Sequence, residues 1–246
     1  WDFTVADTEN LSDRALAMRD TAFDLLGDDS PDFTVTSVEE EPFGPDSPVA
    51  RVVRGTISAP SFLSGSGAPG SRLVYGTDGL PTVTGEQATE YVCTLPRVAS
   101  DDPAAPVLYG HGLLGSPNEV TAGNIREMTA RGFAYCGTQW IGMAAPDIPV
   151  VAALLQDFSL FPALPDRMQQ SFVQFLFLGR AMIHPDGLAA DPAFQDGDGG
   201  PLLDVDAGLA FDGNSQGGIA GGALTALAQD FTNAVLGVTG MNYSTL

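Results

Sequence analysis

One serine in this sequence stands in a setting suited to nucleophilic chemistry, within the stretch FDGNSQGGIAGG. Gly213, Ser215 and Gly217 match the pattern Gly-x-Ser-x-Gly. In that pattern a serine occupies a strained turn between a strand and a helix, so that its Oγ projects above a sheet. The glycines leave room where strand and helix pass too closely for a Cβ. The pattern therefore predicts that Ser215 is a catalytic nucleophile; the alternative is a glycine-rich turn with a passive serine.

A second glycine-rich stretch, YGHGLLGS, could supply what acyl transfer needs beside a nucleophile. A serine hydrolase holds the negative oxygen of its intermediate with two backbone N–H groups. One comes from the residue after the nucleophile and the other from a loop after an earlier strand. These donors are predicted to be Gln216 and Leu113, with His111 and Gly112 shaping the loop. Together the two motifs indicate acyl transfer more specifically than either does alone.

A general base is missing from the place where it is expected. Histidine normally takes the proton of the serine, but the two histidines of the chain, His111 and His184, both precede Ser215. His184 stands just before a proline, where a basic side chain favours the end of a helix. Asp230 is the one carboxylate after Ser215 and is predicted to be a surface charge at a helix end.

The elements that must position these motifs change in character along the chain. Residues 1–100 are β-rich after an opening helix at residues 10–26. Strands are predicted there over residues 33–38, 50–60, 71–81 and 88–98. From residue 101 strands and helices alternate, including a helix over residues 116–132 with Ser116 as N-cap and Glu119 as its capping-box partner. Such alternation predicts an α/β fold with a mostly parallel sheet and helices on both faces.

These motifs, with the longer stretches FLFLGRAMIH and AVLGVTGMNYSTL, resemble an α/β-hydrolase. HGLLGS is similar to the oxyanion loop of bacterial lipases, and most of residues 101–246 resembles secreted, lipase-like bacterial hydrolases. The resemblance implies eight strands and the chain order serine, acid, histidine. Because the family acid and histidine follow later strands that this chain lacks, it also implies a single incomplete domain over residues 1–246. The acid and histidine would then come from beyond residue 246, in a remainder that is cleaved into a second polypeptide, disordered or missing.

The resemblance also bears on the two cysteines of the chain. In the family topology the strand with Cys93 lies beside the strand with Cys136, so the two could be bridged. Their low, even count fits either one disulfide in an oxidising compartment or two buried thiols. The implied location is extracellular or periplasmic.

An apolar stretch broken by prolines, residues 141–164, is predicted to be a cap or lid. In a hydrolase it would form a wall for the acyl group of a hydrophobic ester, and its closure would exclude water. The alternative is a pair of helices packed into the core, which apolar spacing alone does not distinguish from a cap.

Composition limits the partners of the chain. Its net charge is −21, so the phosphate backbone of nucleic acid would be repelled. No apolar run is as long as the ~18 residues of a membrane span, and the motifs call for no cofactor. One acidic loop suits either Ca²⁺ or a series of Asx-turns. Its aspartates are Asp196, Asp198, Asp204 and Asp206.

The sequence therefore predicts a secreted serine hydrolase of the esterase or lipase type that cleaves hydrophobic carboxylic esters through Ser215. The alternative is a non-catalytic surface or binding protein on a hydrolase scaffold, and the missing histidine is the observation that favours it.

Overall fold

The structure is a computed structural model that describes residues 8–240, with side chains described from residue 12 onward. Residues 1–7 and 241–246, at the two ends of the predicted domain, lie outside the described residues. The strands are β1 (Phe33–Glu40), β2 (Val49–Ser61), β3 (Gly85–Pro96), β4 (Ala105–Gly110), β5 (Phe133–Thr138), β6 (Ala210–Asn214) and β7 (Asn233–Gly237). The helices are α1 (Thr8–Leu26), α2 (Gly123–Thr129), α3 (Ile148–Leu154), α4 (Ala163–Ile183) and α5 (Gln216–Leu227).

Within the described residues the strands form one seven-stranded sheet in the order β1-β2-β3-β5-β4-β6-β7. The first three strands pair antiparallel, and β3 is also antiparallel to β5. β5, β4, β6 and β7 are parallel to one another. This pattern confirms the predicted α/β class, with a β-rich start followed by a parallel half whose crossovers contain helices.

Side chains alternate between the two faces of the sheet, and each face has its own apolar core. Leu108 and Phe211 belong to the larger core, which α1, α4 and α5 cover. Val107 and Tyr109 point to the opposite face and pack against Ile125 of α2. Helices therefore lie on both faces, as the alternation of elements predicts.

Two predicted elements differ from the structure. The strand expected over residues 71–81 is a loop held by isolated bridges, because Gly76 and Gly79 form a tight turn inside it. The helix expected over residues 116–132 is divided into a 3₁₀ helix, Pro117–Thr121, and α2. The division falls at Ala122, whose ψ of 158° is extended rather than helical.

Cys93 and Cys136 form a disulfide, as the family topology implies. The two residues are direct partners in the antiparallel register between β3 and β5. Both are fully buried in the larger core. The bond thus joins the antiparallel start of the sheet to its parallel half.

The β7 edge of the sheet is open in the described part of the chain. Over residues 8–240, β7 pairs with β6 on one side and with no strand on the other. Val235 is 66% exposed and Val238, just after the strand, is 80% exposed. The open edge therefore leaves apolar side chains uncovered. Among the helices of residues 8–240, none is long and apolar enough to cross a membrane.

Candidate active site

Ser215 lies between the end of β6 and the start of α5 in a conformation that L residues rarely adopt. Its φ is 56° and its ψ is −120°. Its N–H donates to the carbonyl of Gly237 and its carbonyl accepts from the N–H of Ile219, each at 3.0 Å. These contacts and the packing around the turn hold the strained conformation, which costs of order 1–3 kcal/mol. The side chain of Ser215 is exposed.

The glycines of the motif permit this turn because backbone atoms fill the space where a Cβ would lie. A Cβ on Gly213 would lie 2.5 Å from the carbonyl oxygen of Gly217. A Cβ on Gly217 would overlap the carbonyl oxygen of Gly110, at the end of β4. The close approach at Gly217 places the first turn of α5 directly against the end of β4.

The loop His111–Ser116 therefore lies beside the serine. In the parallel register of β4 and β6, Gly110 is the partner of Gly213. The loop and Ser215 therefore both follow the carboxyl ends of these neighbouring strands. The backbone N–H of Gln216 is in the first turn of α5, where an N–H group has no acceptor within the helix. Leu113, in this loop after β4, is 54% exposed.

His111 is fully buried and holds the loop with both ring nitrogens. Nε2 is 2.9 Å from the N–H of Trp140 and accepts from it. Nδ1, 2.7 Å from the carbonyl oxygen of Gly112, is therefore the protonated nitrogen and donates. Burial lowers the pKa of His111 to about 4, although the Gly112 carbonyl and Asp147 oppose that shift. A neutral imidazole with both nitrogens engaged by backbone has no free site to accept the proton of Ser215.

The same loop is hydrogen bonded to the start of the apolar stretch 141–164. Leu114 has a φ of 51°, and its N–H donates to the carbonyl of Met143 at 3.0 Å. The N–H of Ala145 donates to the carbonyl of Gly115 at 2.9 Å. The loop and the base of the stretch therefore form one hydrogen-bonded unit.

A buried ion pair that the sequence analysis missed supports this unit. Asp147 accepts from the N–H groups of Gly142 and Ala144 through one oxygen, at 2.8 and 3.1 Å. Its other oxygen is 3.1 Å from Nη2 of Arg167 on α4. Both side chains are almost fully buried. The available signal was a single charged residue, Asp147, within residues 141–155, which are otherwise apolar.

The other candidate triad residues are engaged elsewhere. Nε2 of His184 donates to the carbonyl of Asp28 at 2.9 Å, and Nδ1 accepts from the N–H of Asp186 at 3.1 Å. His184 is the C-cap of α4, as predicted. Asp230 makes a two-pronged ion pair with Arg180, both contacts at 2.9 Å. Asp230 is thus a partly buried structural partner rather than the solvated charge that was predicted.

Gln216 has an unusual side chain for a residue at the start of a helix. It is 2% exposed, and its Nε2 lies 3.9 Å from Sδ of Met168 on α4. Its Oε1 is buried and has no hydrogen-bond partner among the described residues. The buried side chain anchors the start of α5, and with it the backbone N–H of Gln216.

Residues 141–164 do not form the helix pair that was considered as an alternative to a cap. They contain the short helix α3 and a 3₁₀ turn at Phe158–Leu160. Phe158 is 70% exposed, and the neighbouring apolar side chains of Leu155 and Phe161 are also exposed. α3 and this turn line a cavity of about 360 Å³ together with Arg72. The stretch is an apolar surface feature attached to the loop beside Ser215.

The acidic loop is organised by Asx-turns. Asp196 accepts from the N–H groups of Asp198 and Gly200, and Asp204 accepts from those of Asp206 and Ala207. Among the described residues, no group of three or more His, Cys, Asp or Glu side chains is placed to hold a metal ion.

Comparison with solved structures reveals similar folds. A protein from Bacteroides fragilis, described as a candidate acetyl xylan esterase, aligns with 92% of this chain and 53% of its own, at 8% identity and a TM-score of 0.51. The chain has the α/β-hydrolase fold. Acetyl xylan esterases from a Thermoanaerobacterium species and a Paenibacillus species align with 91% and 96% of the chain at 15% identity, with TM-scores of 0.44 and 0.47.

The chain spans 53%, 55% and 60% of the length of these three solved structures. The sequence matches no protein-family model and no curated protein.

Proposed function

We propose that the protein is a serine esterase in which Ser215 attacks the carbonyl carbon of a carboxylic ester. The observation that carries the proposal is the strained, exposed position of Ser215 beside the loop His111–Ser116. A glycine-rich turn with a passive serine would have no need of that strain. Ser215 first forms an acyl-enzyme as the alcohol leaves, and water then hydrolyses the acyl-enzyme.

The backbone N–H groups of Leu113 and Gln216 hold the oxyanion. The N–H of Gln216 is free in the first turn of α5, whose N-terminus also favours negative charge. The hydrogen bonds of His111 and Leu114 fix the backbone on either side of Leu113. Donors that are fixed before the reaction stabilise the developing charge without reorganisation.

The histidine and the acid that activate Ser215 come from a polypeptide segment outside residues 1–246. Both histidines of the sequence have both ring nitrogens hydrogen bonded to backbone groups. Asp230 is held by Arg180. The open edge of β7 with its exposed valines offers a place where such a segment can extend the sheet.

The substrate is an ester with a hydrophobic acyl group. The support for this is the exposed apolar surface of residues 141–164, which is hydrogen bonded to the loop beside Ser215. With p-nitrophenyl esters, we expect Phe158→Ser to raise KM for octanoate several-fold and to leave KM for acetate nearly unchanged. Equal changes for both esters would contradict the assignment of this surface to the acyl group.

The protein acts in an oxidising compartment outside the cytoplasm. The support is the buried disulfide between Cys93 and Cys136, since such bonds persist mainly in secreted and periplasmic proteins.

A non-catalytic binding role remains the second candidate, because His111 and His184 are both hydrogen bonded through both ring nitrogens and neither is free to act as the base. A measurement of ester hydrolysis by the full-length natural protein distinguishes the esterase from the binding role. We expect Ser215→Ala to lower kcat by at least ~10³-fold, as loss of a triad nucleophile does. The control is Ser100→Ala, which alters an exposed serine bonded to the carbonyl of Arg97 and should retain full activity. An inactive wild type, or an active Ser215→Ala variant, would favour the binding role or another nucleophile.

A further inference from the structure

Glu119 lies in the 3₁₀ helix Pro117–Thr121 but does not cap it. Ser116, at the N-cap position, makes no side-chain cap hydrogen bond. The carboxylate of Glu119 instead turns back into the hollow of the preceding loop, where Oε2 accepts from the N–H of Gly112 at 2.9 Å. A Cβ on Gly115 would overlap Oε1 of Glu119. The loop is therefore wrapped around this carboxylate.

Both peptide units that flank Gly112 are held in place. Its N–H donates to Glu119, and its carbonyl accepts from Nδ1 of His111 at 2.7 Å and from the N–H of Gly115 at 3.1 Å. Glycine is the residue whose backbone is otherwise freest. In a planar trans peptide the C=O and N–H point in opposite directions, and the described residues contain no cis peptide bond. The N–H of Leu113 must therefore point away from the groups that bind the Gly112 carbonyl.

Tyr109 connects the same carboxylate to the serine turn. Its ring is 4% exposed at the end of β4. Burial is the largest influence on the pKa of Tyr109 and raises it. A hydrogen bond with Asn214 lowers this pKa, and one with Glu119 raises it. Asn214 is the residue directly before Ser215. Tyr109 thus interacts both with the carboxylate that holds the loop and with the residue that precedes the serine.

We propose that Glu119 is a positioning residue for the oxyanion hole: its carboxylate fixes the Gly112 backbone, and thereby aims the Leu113 N–H toward the carbonyl that Ser215 attacks. Glu119 acts through the backbone and touches no substrate. The inference rests on the proposed esterase function.

The test compares Glu119→Ala with Glu119→Gln in the full-length natural protein. Alanine removes the acceptor for the Gly112 N–H, whereas glutamine keeps an amide oxygen on a side chain of the same length. Two quantities are measured: kcat and KM for p-nitrophenyl butyrate, and amide hydrogen exchange in the peptide that contains residues 110–116. Thermal unfolding shows whether either variant loses global stability.

We expect Glu119→Ala to lower kcat at least ~10-fold with KM within about twofold, because the Leu113 N–H that loses its alignment interacts most strongly with the oxyanion of the transition state. Exchange in residues 110–116 should rise in the same variant, and Glu119→Gln should restore most of both properties. If the role of Glu119 were merely structural, Glu119→Ala would lower Tm but would not lower kcat selectively over KM.

The outcomes separate this inference from the proposed function. An active wild type whose Glu119→Ala variant keeps its kcat overturns the inference alone, whatever happens to exchange. A lowered kcat without faster exchange in residues 110–116 also overturns it, since the loop would then be held without Glu119. An inactive wild type overturns the proposed function, and the inference falls with it.

Discussion

At the scale of single residues, the space around each glycine decides what the serine turn tolerates. A Cβ on Gly217 would overlap the carbonyl oxygen of Gly110, whereas a Cβ on Gly222, in the same helix, would meet only Cδ1 of Leu236 at 3.8 Å. We expect Gly217→Ala to separate α5 from β4, destabilise the protein by more than 2 kcal/mol, on the order of other overpacked sites, and abolish activity.

The matched control for this prediction is Gly222→Ala. It should be neutral or stabilise the protein by up to about 1 kcal/mol, because alanine is a better helix former than glycine. Urea unfolding measures both variants. Similar stabilities for the two would show that α5 does not lie as close to β4 as the structure has it.

His111 gives a residue-scale prediction for pH. The unfolded chain binds a proton at His111 near its ordinary pKa of 6.5, but the folded protein binds it only near pH 4. The unfolded state therefore holds more protons between these values, and the contribution of His111 to stability is complete above pH 6.5 and falls as pH drops toward 4. The full loss is about 3 kcal/mol, at 1.36 kcal/mol per pKa unit.

The measurement is urea unfolding of wild type and His111→Gln from pH 7 to pH 4.5. All other titrating groups are common to both proteins, so the wild type should lose stability faster than His111→Gln as pH falls. The difference between their free energies of unfolding should therefore narrow by about 2–3 kcal/mol. A difference that stays constant with pH would contradict the buried, neutral state of His111.

Sequence reasoning predicted which candidate residues lie together better than it predicted the contacts that hold them. The candidate residues follow the carboxyl ends of β4 and β6, because local glycine patterns mark turns after strands. These residues are His111, Leu113, Ser215 and Gln216. Glu119 was expected to cap a helix and instead binds the N–H of Gly112. A capping pattern is local, whereas the loop that competes for the carboxylate is defined only by the tertiary fold.

At the scale of elements, the Asp147–Arg167 pair joins the base of the apolar stretch to α4. Removing one partner of a buried pair leaves the other charge uncompensated, so Asp147→Asn should destabilise the protein by about 3–5 kcal/mol. The control is Glu39→Gln, which breaks the half-exposed pair with Arg54 and should cost less than about 1 kcal/mol. Equal effects in urea unfolding would mean that Asp147 is not buried.

The same scale shows where periodicity was sufficient and where it was not. α4 and α5 and the strands around them follow from apolar spacing and glycine boundaries. The expected strand over residues 71–81 is a loop, because its alternating residues contain a turn whose Asp78 side chain accepts from the N–H of Leu80. The expected helix over residues 116–132 is interrupted at Ala122, directly before Gly123. A single glycine disfavours a continuous helix but does not by itself predict a break.

At the scale of the whole molecule, the disulfide is a covalent cross-link between the antiparallel and parallel halves of the sheet. Cys93 and Cys136 are 43 residues apart, for which the chain-entropy model gives about 4 kcal/mol of stabilisation. We expect protein refolded under reducing conditions to unfold at markedly lower urea than the oxidised protein of identical sequence. Coincident transitions would show that the bond contributes little. The pairing itself was implied by family topology, since two cysteines alone do not distinguish a bridge from buried thiols.

The most direct test of the central claim is a fluorophosphonate reaction on the full-length natural protein, followed by intact mass and peptide mapping under denaturing conditions. We predict one adduct, on Ser215, absent in Ser215→Ala and present only when a histidine-bearing segment accompanies residues 1–246. No adduct on the full-length protein, or an adduct that persists in Ser215→Ala, would contradict the assignment of Ser215 as an activated nucleophile.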